Sequence, residues 1–543
     1  MEIVSIVLIL LVAVVISGAI SRMLPVALPT PLVQIGLGSL IGLVADLRVD
    51  LDPELFLLLF LPPLLFLDGW RIPKDELLKD VSTVFELALG LVLLTVVGVG
   101  FFIHWLVPAM PLAVAFALAA VVSPTDPIAV SAIAARVPIP KRMMHILEGE
   151  SLLNDASGLV CLRFAIAAAL TGSFSIGQAS LTFLWLAVGG IAIGVAVTLA
   201  VTRAKAWISE RFGEDTGSQI LISLLIPFAA YILAEHVHCS GILAAVAAGV
   251  TMTFAEITRQ ALPTTRMRRN SVWDTLQFSL NGIIFVLLGE QLPGILSAAK
   301  QTVRLTNHAN PWWLAIYVLA IMLALATLRF AWVWVSFRLT LFRAREDIPY
   351  RRPDWRLVAA MSFAGVRGAI TLAGVLTIPL TLSDGTDFPA RDLAIFLAAG
   401  VIIVSLILAS ICLPLLLRGL TMPAEPSRQA EEDHARVVSA QAAICAIEQT
   451  QHTLAEGRSD ADVYAAAGAR IMDLYRERID SRIQQSGDTS ETRRYALVER
   501  DLRLAGLKAE RDAIFDMARS RSIGSTLAQK LIREIDLLEV RYR

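Results

Sequence analysis

Two acidic residues inside otherwise apolar stretches are the side chains of this chain best suited to chemistry. Asp126 lies between Pro124 and Pro127, and Asp155 lies four residues after Ser151, so that Ser151 and Asp155 share one face of a helix. An ionisable side chain in an apolar membrane segment is costly unless it is paired or hydrated, and it therefore indicates a functional site. Carboxylate and hydroxyl oxygens suit a small monovalent cation or a proton, whereas transition metals favour sulfur and imidazole ligands.

The elements that carry these residues are expected to be interrupted helices. Pro124 and Pro127 remove backbone donors on both sides of Asp126, which frees carbonyl groups to face a ligand. Two glycines bracket Arg367 in the same way, in residues 365–368. Two interrupted helices in corresponding positions of two halves are typical of a transporter site, and the carbonyl ends of half-helices favour cations.

The composition divides the chain into two parts. Hydrophobic residues make up 56% of the 543 residues and charged residues only 17%, against about a quarter in ordinary soluble domains. Of the 123 residues in 421–543, 40 are charged, but only 55 of the 420 residues before them are. We therefore expect a membrane domain in 1–420 and a separate tail in 421–543. Apolar residues at helical spacing, such as Leu531, Ile535 and Leu538, predict solvated amphipathic helices in the tail.

A helix needs about 20 mostly apolar residues to cross a bilayer. The sequence contains thirteen such candidates, which predicts an all-α polytopic membrane protein with 13 transmembrane helices. They are residues 3–20, 30–45, 53–69, 82–107, 111–135, 144–171, 181–206, 218–235, 239–256, 273–298, 312–338, 356–381 and 391–419. With the seventh span as a linker, the first six and the last six are expected to form an inverted repeat. The two unwound helices, spans five and twelve, would then cross at the site.

The basic residues predict how these spans are oriented, because loops on the cytoplasmic side are enriched in Lys and Arg. Loops after odd-numbered spans carry 21 Lys and Arg residues, and loops after even-numbered spans carry 4. We therefore expect the N-terminus outside and the 421–543 tail in the cytoplasm. The protein would be a multi-pass protein whose immediate surroundings are the lipid bilayer.

Several other classes of protein fit the sequence poorly. A net charge of −1 argues against a nucleic-acid binder. The four cysteines lie far apart with no CxxC pair, which indicates neither a disulfide scaffold nor a zinc site. The tail has no glycine-rich phosphate loop, and the membrane carboxylates lack the Gly-x-Gly-Asp setting of an intramembrane aspartyl protease. We therefore expect no cofactor and no enzymatic activity.

Five short motifs, taken together in their order and spacing, are similar to those of a known transporter family. The chain resembles the monovalent cation:proton antiporter family 1, the NhaP-like sodium/proton exchangers, over most of 1–420. The tail is not covered by the resemblance. The motifs are FLPPLLFLD (60–68), TDP (125–127), ESLLND (150–155), SGILA (240–244) and GVRGA (365–369).

The resemblance implies a role for each matching residue. Asp155 would be the essential carboxylate that binds the cation and the proton. Asp126, Ser151 and the Thr125 backbone would complete the shell of a monovalent cation held by the two carboxylates. Asp68 would lie nearby or reach the cation through water.

Further residues would support this site. Asn154, which precedes the essential carboxylate, is usual in electroneutral members and would contribute to ion and proton binding. Glu150 would form a structural ion pair with Arg329, and Arg367 would stabilise the carbonyl groups freed where the unwound helices cross. The fold would be a homodimer with a dimerisation domain and a moving core domain, in a bacterial inner membrane.

The expected function is secondary active transport of Na+, or Li+ or K+, in exchange for H+. The cation and the proton would compete for Asp155, and alternating exposure of that site would give electroneutral 1:1 exchange. A cation- or proton-coupled solute symporter on the same inverted-repeat scaffold remains the alternative, because such folds share an architecture without sharing substrates. A channel fits less well, because the polar residues form a compact cluster and not a continuous pore.

Overall fold

The structure is a computed structural model. It describes residues 2–24, 28–44, 53–71, 90–127, 130, 141–171, 176–256, 263–305, 312–343, 355–382, 385–418, 426–456, 461–485, 491–520 and 522–542. The chain divides into two compact units, Met1–Leu420 and Thr421–Arg543. Among the described residues the regular structure is helical, and the only pairing of extended backbone is an isolated bridge between Thr381 and Asp387. The all-α class predicted from the sequence is confirmed for this part of the chain.

Fourteen helices are described in the first unit. In chain order they are α1 (Glu2–Met23), α2 (Thr30–Val44), α3 (Pro53–Arg71), α4 (Leu91–Leu106), α5 (Leu112–Val122), α6 (Lys141–Thr171), α7 (Ile176–Phe212), α8 (Thr216–His236), α9 (Gly241–Glu256), α10 (Pro263–Leu305), α11 (Trp312–Arg343), α12 (Trp355–Phe363), α13 (Ala369–Leu376) and α14 (Arg391–Leu417). Each predicted span overlaps one of these helices, and the twelfth overlaps two. The parts of predicted spans that lie outside the described residues are residue 45 of the second span, 82–89 of the fourth, 128–129 and 131–135 of the fifth, and residue 419 of the thirteenth.

Seven helical segments among the described residues are long and apolar enough to cross a membrane. They are Val4–Met23, Met143–Leu170, Leu184–Phe212, Thr216–His236, Thr264–Ser297, Trp312–Ser336 and Arg391–Leu417. Shorter apolar helices cover Thr30–Val44, Leu91–Leu106, Leu112–Val122 and Gly241–Ala255. The seven long segments support a polytopic membrane protein, and the count of thirteen spans stays a prediction.

Glycines let two helix pairs approach backbone to backbone. A Cβ atom on Gly38 of α2 would overlap the carbonyl oxygen of Val286 on α10. In the α3–α9 pair, a Cβ on Gly69 would lie 2.6 Å from the carbonyl oxygen of Val246. Lipid tails are as apolar as the helices, so close van der Waals packing of small residues is what holds membrane helices together.

The second unit contains two helical hairpins. α15 (Pro426–Ala455) packs on α16 (Ala461–Gln485), and α17 (Glu491–Arg519) packs on α18 (Ser525–Tyr542). The α17–α18 hairpin buries a small core formed by Leu507, Ile514, Ala528 and Ile535. Arg511 of α17 pairs with Asp536 at 2.9 Å and also with Glu539. The amphipathic helices predicted for the tail are therefore present, and Ile535 of the predicted pattern is buried.

The α2–α10 contact generates a first prediction. Gly38→Ala should destabilise the protein by about 1–3 kcal/mol, the usual cost of overpacking, because the new methyl group meets backbone that cannot rotate away. Gly36 lies on the same helix with nothing within 4 Å of its Cβ position, so Gly36→Ala is the matched control. The melting temperature in detergent should fall for Gly38→Ala and hold for Gly36→Ala. Equal melting temperatures would contradict the close approach.

Candidate cation-binding site

A small cavity lies where α3, α6, α10 and α13 meet the segment after α5. Its volume is about 20 Å³, room for about one water-sized sphere. The residues that line it are Leu64, Asp68, Pro124, Thr125, Asp126, Pro127, Ser151, Asp155, Asn281, Gly368, Ala369, Ile370 and Thr371. Three carboxylates, from Asp68, Asp126 and Asp155, therefore share one cavity with hydroxyl and amide groups.

Asp126 lies in a segment where the helix has stopped. α5 ends at Val122, and residues 123–126 are not helical. The Asp126 N–H donates to the carbonyl oxygen of Val366 at 2.7 Å, and Val366 itself lies between α12 and α13 in a second non-helical segment, residues 365–368. A Cβ atom on Gly368 would overlap the Asp126 carboxylate. The two interruptions therefore touch each other at Asp126.

Arg367 joins these two interrupted segments. Its Nε donates to the Val122 carbonyl oxygen at 2.9 Å, at the end of α5, and its Nη1 donates to the Gly365 carbonyl oxygen. The Arg367 N–H donates to Ser405 Oγ at 3.0 Å. Carbonyl groups at a helix end lack partners within the helix, and an unpaired carbonyl is costly in an apolar interior. The guanidinium satisfies carbonyls from both interruptions.

The helix α6 supplies the second carboxylate of the cavity. Ser151 and Asp155 lie one turn apart, and Ser151 Oγ donates to Asp155 Oδ2 at 3.3 Å. Both side chains are almost fully buried. The four-residue spacing therefore brings them together as the sequence indicates, and both line the cavity with Asp126 and Thr125.

Asn154 lies behind the cavity and not on its wall. Its Nδ2 donates to Thr125 Oγ1 at 3.0 Å, so the amide positions a residue that does line the cavity. Asn154 Oδ1 is buried and has no hydrogen-bond partner among the described residues. Neighbouring residues on a helix point in different directions, which explains why Asn154 turns towards Thr125 while Asp155 faces the cavity.

A buried ion pair lies on the same helix. Glu150 receives two hydrogen bonds from the Arg329 guanidinium, at 2.5 Å and 2.8 Å, and both side chains are at most 2% exposed. Arg329 Nε also donates to the Met361 carbonyl oxygen at 3.1 Å, near the end of α12. A Cβ on Gly365 would lie 2.8 Å from Arg329 Cδ, so this glycine makes room for the arginine. The pair ties α6 to α11 and to the α12 end of the second interruption.

Two polar residues of the cavity wall were not identified from the sequence. Asn281 is on α10 and Thr371 is on α13, and both line the cavity. The available signal for Asn281 was an amide inside the predicted span 273–298. Thr371 follows the GVRGA motif by two residues. Neither belongs to one of the five motifs that support the resemblance.

The chemistry of this cavity is that of a hard-oxygen site. Its donors are carboxylates, a serine and a threonine hydroxyl from Ser151 and Thr371, and the amide of Asn281. Such ligands suit a small cation or a proton. A bound cation or proton would compensate part of the negative charge of the carboxylates, which is otherwise costly to bury.

A family profile and two similar curated proteins point to the same protein family. A family profile described as "Sodium/hydrogen exchanger, transmembrane" matches residues 7–419. The chain is 43% identical over 545 residues to the uncharacterized Na(+)/H(+) exchanger YjcE of Escherichia coli (strain K12), covering 99% of this chain and 98% of that protein. It is 40% identical to a sodium, potassium, lithium and rubidium/H(+) antiporter of Bacillus pumilus (strain SAFR-032), covering 100% of this chain and 78% of that protein.

A solved structure has a similar fold. The sodium proton antiporter MjNhaP1 from Methanocaldococcus jannaschii matches with a TM-score of 0.60. The match covers 77% of this chain and 99% of that one, at 19% sequence identity. At this identity the likeness concerns the fold alone.

The two ion pairs of α6 generate a second prediction, because they differ in burial. Glu150→Gln should leave the buried Arg329 without a counter-charge and destabilise the protein by about 3–5 kcal/mol. Arg163 pairs with Glu235 of α8 at 2.7 Å, with side chains 37% and 35% exposed. Glu235→Gln is therefore the matched control, with an expected cost below about 1 kcal/mol.

The comparison is made by the melting temperature of the purified protein in detergent. Glu150→Gln should lower it clearly more than Glu235→Gln does. Equal shifts would show that the buried pair contributes no more than the half-exposed one.

Proposed function

Because this chain belongs to the transmembrane sodium/hydrogen exchanger family, a family of secondary transporters and not of enzymes, we propose that it exchanges Na+, Li+ or K+ for H+ with electroneutral 1:1 stoichiometry. The observation that carries this proposal is that Asp126 and Asp155 share one small buried cavity. The Bacillus pumilus relative is named for sodium, potassium, lithium and rubidium, which supports a substrate set of several alkali cations.

The chemistry of the cavity lining favours a cation or a proton over an organic solute. The lining combines the carboxylates of Asp68, Asp126 and Asp155 with hydroxyl groups, and hard oxygen ligands of this kind suit a small cation. This supports exchange of ions over the alternative of a solute symporter on the same scaffold.

Competition between the cation and the proton for Asp155 couples the transport of one to the transport of the other. A proton binds to the carboxylate at low pH, and at higher pH the ionised carboxylate binds a cation together with Asp126, Ser151 and Thr125. Asp68 reaches the cation directly or through water. A site that holds either one proton or one cation carries the same charge in both cases. Asn154, which is neutral and bonded to Thr125, adds no second ionisable group beside Asp155.

Alternating access requires the site to face each side of the membrane in turn. The proposed arrangement has thirteen spans, with the first six and the last six as inverted repeats and the two interrupted helices crossing at the site. The contact between Asp126 N–H and the Val366 carbonyl oxygen supports such a crossing. The working assembly would be a homodimer in a bacterial inner membrane, with the N-terminus outside and the tail in the cytoplasm.

Substituting the essential carboxylate gives a third prediction. Asp155→Asn should abolish cation-dependent proton flux while the protein still folds, because the amide keeps the shape of the carboxylate but cannot exchange a proton. Asp392, a half-exposed carboxylate in the first turn of α14, provides the control Asp392→Asn, which should keep activity. Active exchange by Asp155→Asn, with a melting temperature like that of the wild type, would refute the assignment.

Proton flux in proteoliposomes tests the stoichiometry. A pH-sensitive dye reports the pH of the liposome lumen while Na+ and K+ are added in turn. The measurement is made with and without a potassium/valinomycin clamp of the membrane potential. We expect recovery of the dye signal on addition of either cation, at a rate that the clamp leaves unchanged. A rate that depends on voltage would keep antiport but contradict 1:1 exchange. The absence of a response to both Na+ and K+ would favour a solute carrier.

A further inference from the structure

A stripe of polar side chains on α10 leads away from the cavity. Asn281 lines the cavity, and Gln277 and Asp274 follow at intervals of four and three residues towards the start of the helix. This spacing keeps all three on one face of the helix, and Asp274 lies about 10 Å along the axis from Asn281. Asp274 has a side chain that is 63% exposed, so the stripe runs from the buried cavity to an accessible surface.

Arg71, the last residue of α3, is held by this stripe. Its Nη1 donates to Gln277 Oε1 at 2.8 Å, and its Nη2 pairs with Asp274 Oδ1. The Arg71 side chain is 40% exposed. Gln277 and Asp274, which accept hydrogen bonds from Arg71, lie on α10 between the start of the helix and Asn281. The guanidinium is thereby held against the polar stripe of α10.

The same arginine is a neighbour of a cavity carboxylate. Asp68 precedes Arg71 by three residues on α3, a spacing at which helical side chains can pair. A released guanidinium within reach of Asp68 would act as a tethered cation, because Arg stays charged at all working pH values and forms strong pairs with carboxylates. It would compete with an incoming ion for Asp68 and would repel that ion.

Aromatic side chains join α3 and α10 next to Arg71. Phe66 and Trp273 stack with ring centroids 5.3 Å apart, and Trp70 meets Trp273 edge-on at 6.0 Å. Trp273 Nε1 donates to Ser223 Oγ of α8 at 3.2 Å. The aromatic cluster sets the register of the two helices, and in that register the end of α3 faces the start of the polar stripe.

We propose that Asp274, assisted by Gln277, is a positioning residue that holds Arg71 away from Asp68 and so keeps the cavity open to alkali cations. This inference rests on the proposed function and concerns the apparent affinity for the cation, not the exchange step itself. Asp274 does not line the cavity and acts through Arg71.

The test compares three variants with the wild type in everted membrane vesicles, whose cytoplasmic face, on which the proposed topology places Arg71, is towards the medium. The variants are Asp274→Asn, Arg71→Gln and the double substitution of both residues. Proton flux is followed with a pH-sensitive dye as the concentration of Na+, or in a parallel series that of K+, is varied, with choline chloride holding the ionic strength constant. Glu210→Gln, which removes an exposed carboxylate at the end of α7, is the control for a general loss of surface charge.

Asp274→Asn should raise the KM for Na+ about threefold to fivefold, the effect expected of a half-exposed charge pair, and should leave kcat nearly unchanged. Arg71→Gln should not raise the KM, because the competing charge is gone. The double variant should behave like Arg71→Gln, since Asp274 has no role once Arg71 is removed. Glu210→Gln should match the wild type.

The outcomes separate this inference from the proposed function. If the wild type shows no proton flux with Na+ or K+, the proposed function fails. If the wild type exchanges ions but Asp274→Asn keeps its KM, the positioning role is wrong. A double variant whose KM stays as high as that of Asp274→Asn would also overturn it, because Asp274 would then act independently of Arg71.

Discussion

Two helices stop side by side in the apolar interior, and the Arg367 side chain stabilises both ends because it donates to a carbonyl group of each. In a membrane, the carbonyls at an interrupted helix have no water to bond, so an interruption persists only where protein groups replace the missing partners. A guanidinium presents several donors in a fixed plane and can serve more than one acceptor. The two interruptions also fix the position of Asp126. Its N–H donates to the Val366 carbonyl oxygen, because both segments of the chain leave the helical path at the same place.

The charges around this crossing fall into two groups. Glu150 and Arg329 compensate each other in a buried bidentate pair, and Arg329 also bonds the chain next to the second interruption. Asp126 and Asp155 instead face a cavity that is large enough for about one water-sized sphere. The fixed pair therefore belongs to the scaffold, while the cavity carboxylates are the ones whose charge a small ion or a proton can compensate.

The sequence predicted those parts of the site that depend on local spacing. Ser151 and Asp155 are one helical turn apart, and the prolines around Asp126 indicate an interruption, so these residues were assigned to one site from the sequence. The Arg71 pairs with Asp274 and Gln277 join residues 203 and 206 positions apart, and no local pattern encodes them. Asn281 was missed because its place in the cavity depends on how α10 packs against the other helices, which no local pattern encodes. The turn of Asn154 towards Thr125 depends on where the interrupted chain passes, which spacing alone does not specify.

The contacts within the first unit differ in kind, and this bears on how it can move. α2 packs on α10, and α3 on α9, through glycines that bring backbone against backbone, so separating either pair would lose a long surface of van der Waals contact at once. The crossing of the interrupted segments is held by a few directional hydrogen bonds from Arg367 and Asp126. Hydrogen bonds of this kind can be exchanged singly for others of similar strength, whereas a packed interface changes only between discrete arrangements. The crossing, where the cavity carboxylates lie, is therefore held mainly by directional bonds, whereas the glycine-packed pairs are held by continuous backbone contact.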